Sequence, residues 1–222
     1  MLSGFTMEHL TAYNIVFFIL LLVSITMHEF GHAFAADKLG DPLPRAMGRV
    51  TINPLAHADL LGTIVLPAIM IFSGSPFLFG WGKPVYVSLP NPKTRMRDDL
   101  VSTFAGPFVN LLLALIFALI LAFGAKYKSD YTMNVAQMGL LLNCVLFIFN
   151  MLPIPPLDGS HFLKYAFNIS NETYAKLQSY GFFIVLALIF FVPQFKALLL
   201  WLISLMRSGF MLIANLAFNL IS

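Results

Sequence analysis

The chain has 222 residues, 59% of them hydrophobic and 10% charged, with a net charge of +3 and one cysteine. Soluble domains average about a quarter charged residues, so this composition excludes an ordinary soluble fold and indicates a polytopic membrane protein. The positive charge is too small and scattered for nucleic-acid binding, and Cys144 alone supplies neither an intramolecular disulfide nor a thiolate metal cluster.

Met1 to Tyr13 carries no Lys or Arg, so no cleavable signal peptide is expected and the first span is retained. Apolar segments run from Tyr13 to Ala36, Leu60 to Phe79, Leu100 to Ala125, Val135 to Leu152, Leu177 to Val192 and Ala197 to Ile221. Most are near the roughly 20 residues that a spanning helix needs. The second is punctuated by Gly62, Pro67, Gly74, Pro76 and Gly80 and reads as a broken, re-entrant hairpin. Gly48 to Asn53 and Pro84 to Leu89 are partly alternating, rich in β-branched residues and flanked by Gly or Pro, and are expected as short strands at the membrane surface. A strand edge there could hold an unwound substrate in extended form; plain connecting loops are the other reading. The expected fold is thus all-α and polytopic, one domain over 1–222, with about five to six transmembrane helices, a re-entrant segment and short membrane-associated β-strands.

Charge placement orients this arrangement. With Leu60 to Phe79 re-entrant, Lys38, Arg45, Arg49, Lys83, Lys93, Arg95, Arg97, Lys164 and Lys176 share one side, nine of the 13 basic residues. The other side holds Lys126, Lys128 and Lys196, and Arg207 falls inside the last segment. The positive-inside rule then gives an external N-terminus, a cell inner (cytoplasmic) membrane location, and ends of the first and fourth apolar segments toward the cytoplasm.

Within the first segment stands Met27-His28-Glu29-Phe30-Gly31-His32. Two histidines four residues apart share one helix face, where both imidazoles can reach one ion, with zinc the expected metal. Glu29 is placed to take a proton from a water whose pKa the metal has lowered. Ionisable groups at bilayer depth cost about 2.5 kcal/mol or more each, so three in five residues imply a compensating partner and a function.

Two histidines leave a catalytic zinc short of a protein ligand. The candidates are His57, Asp59, Asp158 and His161; Glu8, His9 and Glu172 lie in polar segments, and Asp37 and Asp41 read as caps or solvated residues behind the helix. Position 38 is a lysine, so the metzincin third histidine is absent. Asp158 stands out, because Pro153, Pro155 and Pro156 stop the fourth apolar segment just before it and Gly159 follows. Asn150 and Asn110, carboxamides in apolar runs, could donate to a substrate carbonyl or developing oxyanion, or could bond helix to helix. His57 and Asp59 could orient a ligand, gate the site or cap the next segment. His161 stays outside the metal shell.

The pairing of H-E-x-x-H with Asn150-Met151-Leu152-Pro153-Ile154-Pro155-Pro156-Leu157-Asp158-Gly159 resembles the site-2 protease family of intramembrane zinc metalloproteases. Ala105-Gly106-Pro107-Phe108-Val109-Asn110 resembles that family's A-G-P-x-x-N, and Asn53 to Asp59 and Gly80 to Val85 are similar to its compact bacterial branch, without a PDZ or CBS domain. The resemblance implies one zinc per chain held by His28, His32 and Asp158, Glu29 as catalytic base, and transmembrane proteins or peptides in the lipid bilayer as substrates. Two rival functions remain: a membrane metal-ion transporter or channel, which would string several ligand sets along the membrane normal, and a silent scaffold, which would be expected to have lost one of these four residues.

Overall fold

The computed structural model describes residues 11–73 and 80–221. Glu8, His9 and the middle of the predicted hairpin, with Gly74 and Pro76, lie outside the described residues. In chain order the helices are α1 (Ala12–Lys38), α2 (Leu43–Ala46), α3 (Pro54–His57), a π-helical stretch (Leu60–Val65) that continues as α4 (Leu66–Phe72), α5 (Arg95–Lys126), α6 (Asp130–Asn150), α7 (Ser160–Ala166), α8 (Asn171–Phe191) and α9 (Pro193–Ile221). Of these, α1, α5, α6 and α9 are long and apolar enough to cross a membrane, whereas α8 bends by 50° between Asn171–Gly181 and Phe183–Phe191. Thr11, Ser129 and Ser170 cap α1, α6 and α8, each accepting a bond from an orphan backbone amide.

The central helix is α5, which packs on α1, α6 and α9. Gly31 brings α1 and α5 together: a Cβ there would lie 2.8 Å from the Ala105 carbonyl oxygen. Leu21 and Ile25 of α1 meet Leu142 of α6, and Ala114, Leu140 and Cys144 form a second buried cluster, so Cys144 is a small core residue. Ile203 and Met206 of α9 pack on that second cluster, and Ala214 joins Ala118 and Leu121 further along α5. Lys126 at the end of α5 donates to the carbonyl of Ile221. Helix α9 therefore runs alongside α5 in the same direction. About 15 Å of helix separate Pro193 from Ile203, so α9 begins toward the end of the bundle where α5 begins.

The two expected strands do not form among the described residues. Gly48 to Asn53 is turn, bend and irregular chain, Pro84 to Leu89 is irregular and unpaired, with Leu89 at a positive φ, and the pairing present is one bridge between Ala58 and Gly82. Side chains have taken the backbone groups that a ladder would use. Arg49 donates to the carbonyls of Ala56, Lys83 and Pro84, while Asp41 accepts from the amides of Leu43 (3.0 Å), Ser88 (2.5 Å) and Leu89 (3.0 Å) and from the Ser88 hydroxyl (2.5 Å). The chain also returns to its starting point across the residues 74–79: the Trp81 amide donates to Gly62 O (3.2 Å) and Thr63 Oγ1 to Trp81 O (2.7 Å).

Burial works to raise the Asp41 pKa, but the bonds from Ser88, Leu43 and Leu89 outweigh it and hold the carboxylate below its ordinary range. A folded value below the unfolded one gives stability that is full above about pH 4 and is lost as pH falls through the folded value. Hydrogen exchange should show the Ser88 and Leu89 amides protected at neutral pH and progressively released in acid. Asp41→Asn should release them already at neutral pH, at a cost of about 1–3 kcal/mol.

Candidate metal centre

Helix α1 carries Ser24, His28 and His32 at intervals of four, so all three point toward α5 and α6. The loop after α6 brings Asp158 to the same place. His28 Nε2 and His32 Nε2 are 3.0 Å apart and lie 3.3 and 3.4 Å from Asp158 Oδ2. Ligand atoms about 2.0–2.1 Å from a tetrahedral ion stand about 3.3 Å apart, so this triangle fits one face of a zinc site.

Proton placement makes the case independently. The Gly139 carbonyl can only accept, so the Asn143 nitrogen that meets it at 2.9 Å is Nδ2, which also donates to Ser24 Oγ at 3.1 Å. Asn143 Oδ1 must then accept from Asn110 Nδ2 (3.0 Å), which turns Asn110 Oδ1 toward His28 Nδ1 at 2.6 Å. That ring nitrogen carries the proton, and His28 Nε2 is a bare lone pair. On His32, Nδ1 donates to the Ser102 carbonyl at 2.8 Å, which leaves its Nε2 bare as well. Asp158 Oδ2, buried and without a hydrogen bond, is the third acceptor. With both imidazoles in the neutral form that metal ligation requires, three lone pairs converge with no proton between them, an arrangement that a divalent cation stabilises.

Room for the imidazoles comes from Gly106 on α5. A Cβ there would collide with His32 Nε2 and approach His28 Nε2 to 2.9 Å. Gly82, in the segment fixed by Arg49, leaves space for Glu29 in the same way: a Cβ would lie 3.0 Å from Glu29 Cγ and 3.1 Å from Oε1. Asp158 is positioned by its surroundings. Gly159 N donates to Asn150 O at 2.7 Å, and Gly181 of α8 lies so close to the Pro155 carbonyl that a side chain would not fit.

The other candidates fall elsewhere. His57, fully buried, donates from Nε2 to Thr51 O at 2.7 Å beside Arg49; burial lowers its pKa, Thr51 opposes this and Arg49 adds to it, so it is neutral. Asp59 caps the π-helical stretch through Gly62 N at 2.7 Å. His161 turns to Asp99 (3.2 Å), which also accepts from the Tyr165 hydroxyl (2.6 Å), and these bonds pin α7 to α5. Asn150 donates to Leu146 O in its own helix at 2.9 Å. Sequence reasoning missed Asn143, Ser24 and the Ser102 carbonyl, and met Gly106 only as part of the A-G-P-x-x-N resemblance, without its role beside the imidazoles. Asn143 was open to the reading given to Asn110 and Asn150, a carboxamide in an apolar run, and Ser24 stands one turn before His28; a backbone carbonyl leaves no trace in sequence.

The model of the peptidase family M50 matches residues 16–129 and 124–192. YwhC of Bacillus subtilis, named as a zinc metalloprotease, is 39% identical over 194 residues, which cover 82% of this chain and 83% of that protein. Rip2 of Mycolicibacterium smegmatis, also so named, is 33% identical over 171 residues, 76% of this chain and 64% of the relative. The zinc metalloprotease MJ0392 of Methanocaldococcus jannaschii is 25% identical over 168 residues, 74% of this chain and 37% of that protein. No solved structure matches the chain.

Asn143→Leu removes the acceptor that orients Asn110 and frees its carboxamide to turn its NH2 toward His28. The imidazole then shifts its proton to Nε2. Zinc affinity, read by competition with a chromophoric chelator, should fall about 10- to 100-fold, while Leu142→Met, beside it in the core, should leave affinity unchanged.

Proposed function

The chain belongs to the peptidase family M50, and on that premise we propose that this metalloprotease is an intramembrane endopeptidase, hydrolysing peptide bonds within or near transmembrane segments of membrane-protein substrates. His28, His32 and Asp158 would hold one zinc ion per chain. The observation that carries this is the convergence of three bare acceptor atoms inside a helical bundle.

Zinc, when bound, acts as a Lewis acid that polarises the scissile carbonyl and lowers the pKa of water toward about 7. The rest falls to the chain. Glu29, one residue from His28 on the same helix, accepts the proton of the attacking water and returns it to the leaving amine. Asn150 donates to the developing oxyanion after a rotation away from Leu146, which accounts for its resting bond within the helix. Val85, Tyr86 and Val87 have no backbone hydrogen bond to the described residues and lie between the anchor points of Arg49 and Asp41, so they offer an edge for an unwound substrate. A transporter needs more than one ligand group along its path; His28, His32 and Asp158 form the one such group among the described residues.

The site faces the cytoplasm in this reading. The return of Trp81 to Gly62 and Thr63 supports a re-entrant segment at Leu60 to Phe79. Because α9 parallels α5, the bent α8 begins and ends on one side of the bundle, which gives four crossings. Lys196 then joins the nine basic residues of the cytoplasmic side as the tenth of 13, against Lys126 and Lys128 outside.

Cysteines placed at residues 84–89 should react with an impermeant maleimide from the cytoplasmic side alone, and a cysteine at Lys196 should behave like them; labelling of Lys196 with Lys128 would make α8 a full crossing. Glu29→Gln should retain zinc and lose about a hundred- to ten-thousandfold in cleavage of a helix-destabilised transmembrane peptide. A mutant that cuts at the wild-type rate with its metal in place would remove Glu29 from the mechanism.

A further inference from the structure

Two carboxylates, Asp98 and Asp99, are buried side by side near the start of α5, and neither belongs to the metal triangle. They differ in what they hold. Asp98 accepts from Thr94 Oγ1 (2.5 Å) and Arg97 (2.8 Å) and so closes the end of its own helix. Asp99, 2% exposed, reaches a different element: its Oδ2 accepts from His161 Nδ1 (3.2 Å) and from the Tyr165 hydroxyl (2.6 Å), which stand four residues apart on one face of α7.

Helix α7 needs such an anchor. It has 7 residues and no side-chain cap, and a helix below roughly 12–15 residues is marginal on its own. Its first turn is built on Asp158: the Ser160 amide donates to Leu157 O and the His161 amide to Asp158 O, each at 3.0 Å. Asp158 Oδ2 accepts no hydrogen bond, so its place in the triangle is set by the main chain on either side. Upstream, the Pro155 carbonyl lies against Gly181 and the Gly159 amide is tied to Asn150 O. Downstream the support is α7 itself, held by Asp99 of α5 and by Tyr174 of α8, whose hydroxyl meets Ser160 Oγ at 2.6 Å.

One turn further along α5, the Ser102 carbonyl receives His32 Nδ1 at 2.8 Å. Residues 99–102 of α5 therefore grip the triangle from two sides, His32 through a carbonyl and the helix behind Asp158 through a carboxylate. We propose that Asp99 is a positioning residue for the metal centre: through His161 and Tyr165 it sets the distance of Asp158 from His28 and His32. The proposal rests on the zinc reading given above, and one arm of its test needs no metal.

In the metal-free full chain, Asp99→Leu should speed hydrogen exchange at the Gly159, Ser160 and His161 amides by about tenfold or more. Zinc affinity, read by chelator competition, should fall about 10- to 100-fold, and the visible spectrum of bound Co(II) should depart from that of the wild type as the carboxylate leaves the ion. Asp98→Leu removes a buried carboxylate from the same turn and should leave those amides, the affinity and the Co(II) spectrum of the folded protein unchanged, which separates positioning from loss of stability. Asp99→Asn keeps an oxygen that accepts both bonds and should restore affinity to within about threefold of wild type. Tyr165→Phe removes one oxygen without disturbing the packing; it should give an intermediate loss, and it decides the matter if Asp99→Leu does not fold. Wild-type exchange at the three amides in these variants, or an equal loss in Asp98→Leu, overturns the proposal. A wild-type chain that binds no zinc overturns the metal reading instead, and exchange in the metal-free protein then decides by itself whether Asp99 places Asp158.

Discussion

Everything at the centre of this molecule depends on how closely α1 can approach α5. Gly31 seats on the Ala105 carbonyl and Gly106 leaves the space that two imidazoles fill, so the helices meet at the level where His28 and His32 project. Without that approach the Ser102 carbonyl and the Asn110 carboxamide would not reach the ring nitrogens they fix. Helices in lipid gain little from burying apolar surface against one another, so small residues and internal hydrogen bonds carry the association. The same glycine contacts that hold the bundle also set the hydrogen-bond partners of His28 and His32.

From this follows an ordering of causes. A main-chain carbonyl, that of Gly139, sets the orientation of Asn143; Asn143 sets Asn110; Asn110 sets the proton on His28. Each member sits on a different or neighbouring turn of α5, α6 and α1, so the protonation pattern of the site is an output of helix packing. In hydrocarbon the alternative for each group is an unsatisfied donor or acceptor, which is what makes the chain of bonds determinate.

Much of this was legible in the sequence. The long apolar helices follow from hydropathy, and His28, His32 and Asp158 were identified from helix periodicity and from three prolines that end α6, and the structure brings them together. The absence of strands at Gly48 to Asn53 and Pro84 to Leu89 was not, because period-two alternation says nothing of which side chains will claim the backbone groups. Arg49 and Asp41 answer that question, and each looked like an ordinary charged loop residue. The direction of α9 was also hidden: the sequence reading counted Leu177 to Val192 as a crossing, and its hydropathy does not show the 50° bend in α8.

The three acceptor atoms come from the first helix and from the loop that follows α6, with α5 and α6 made in between. During synthesis His28, Glu29 and His32 are therefore made well before Asp158 exists. A nascent chain carries Glu29 and two of the three converging acceptor atoms through most of its own translation in a state unable to close the triangle. Hydrolytic competence thus arrives late, when α6 has turned back and the Pro153–Asp158 loop has seated against α8. Latency during biogenesis is written into the order of the chain, with no propeptide or inhibitor required to provide it.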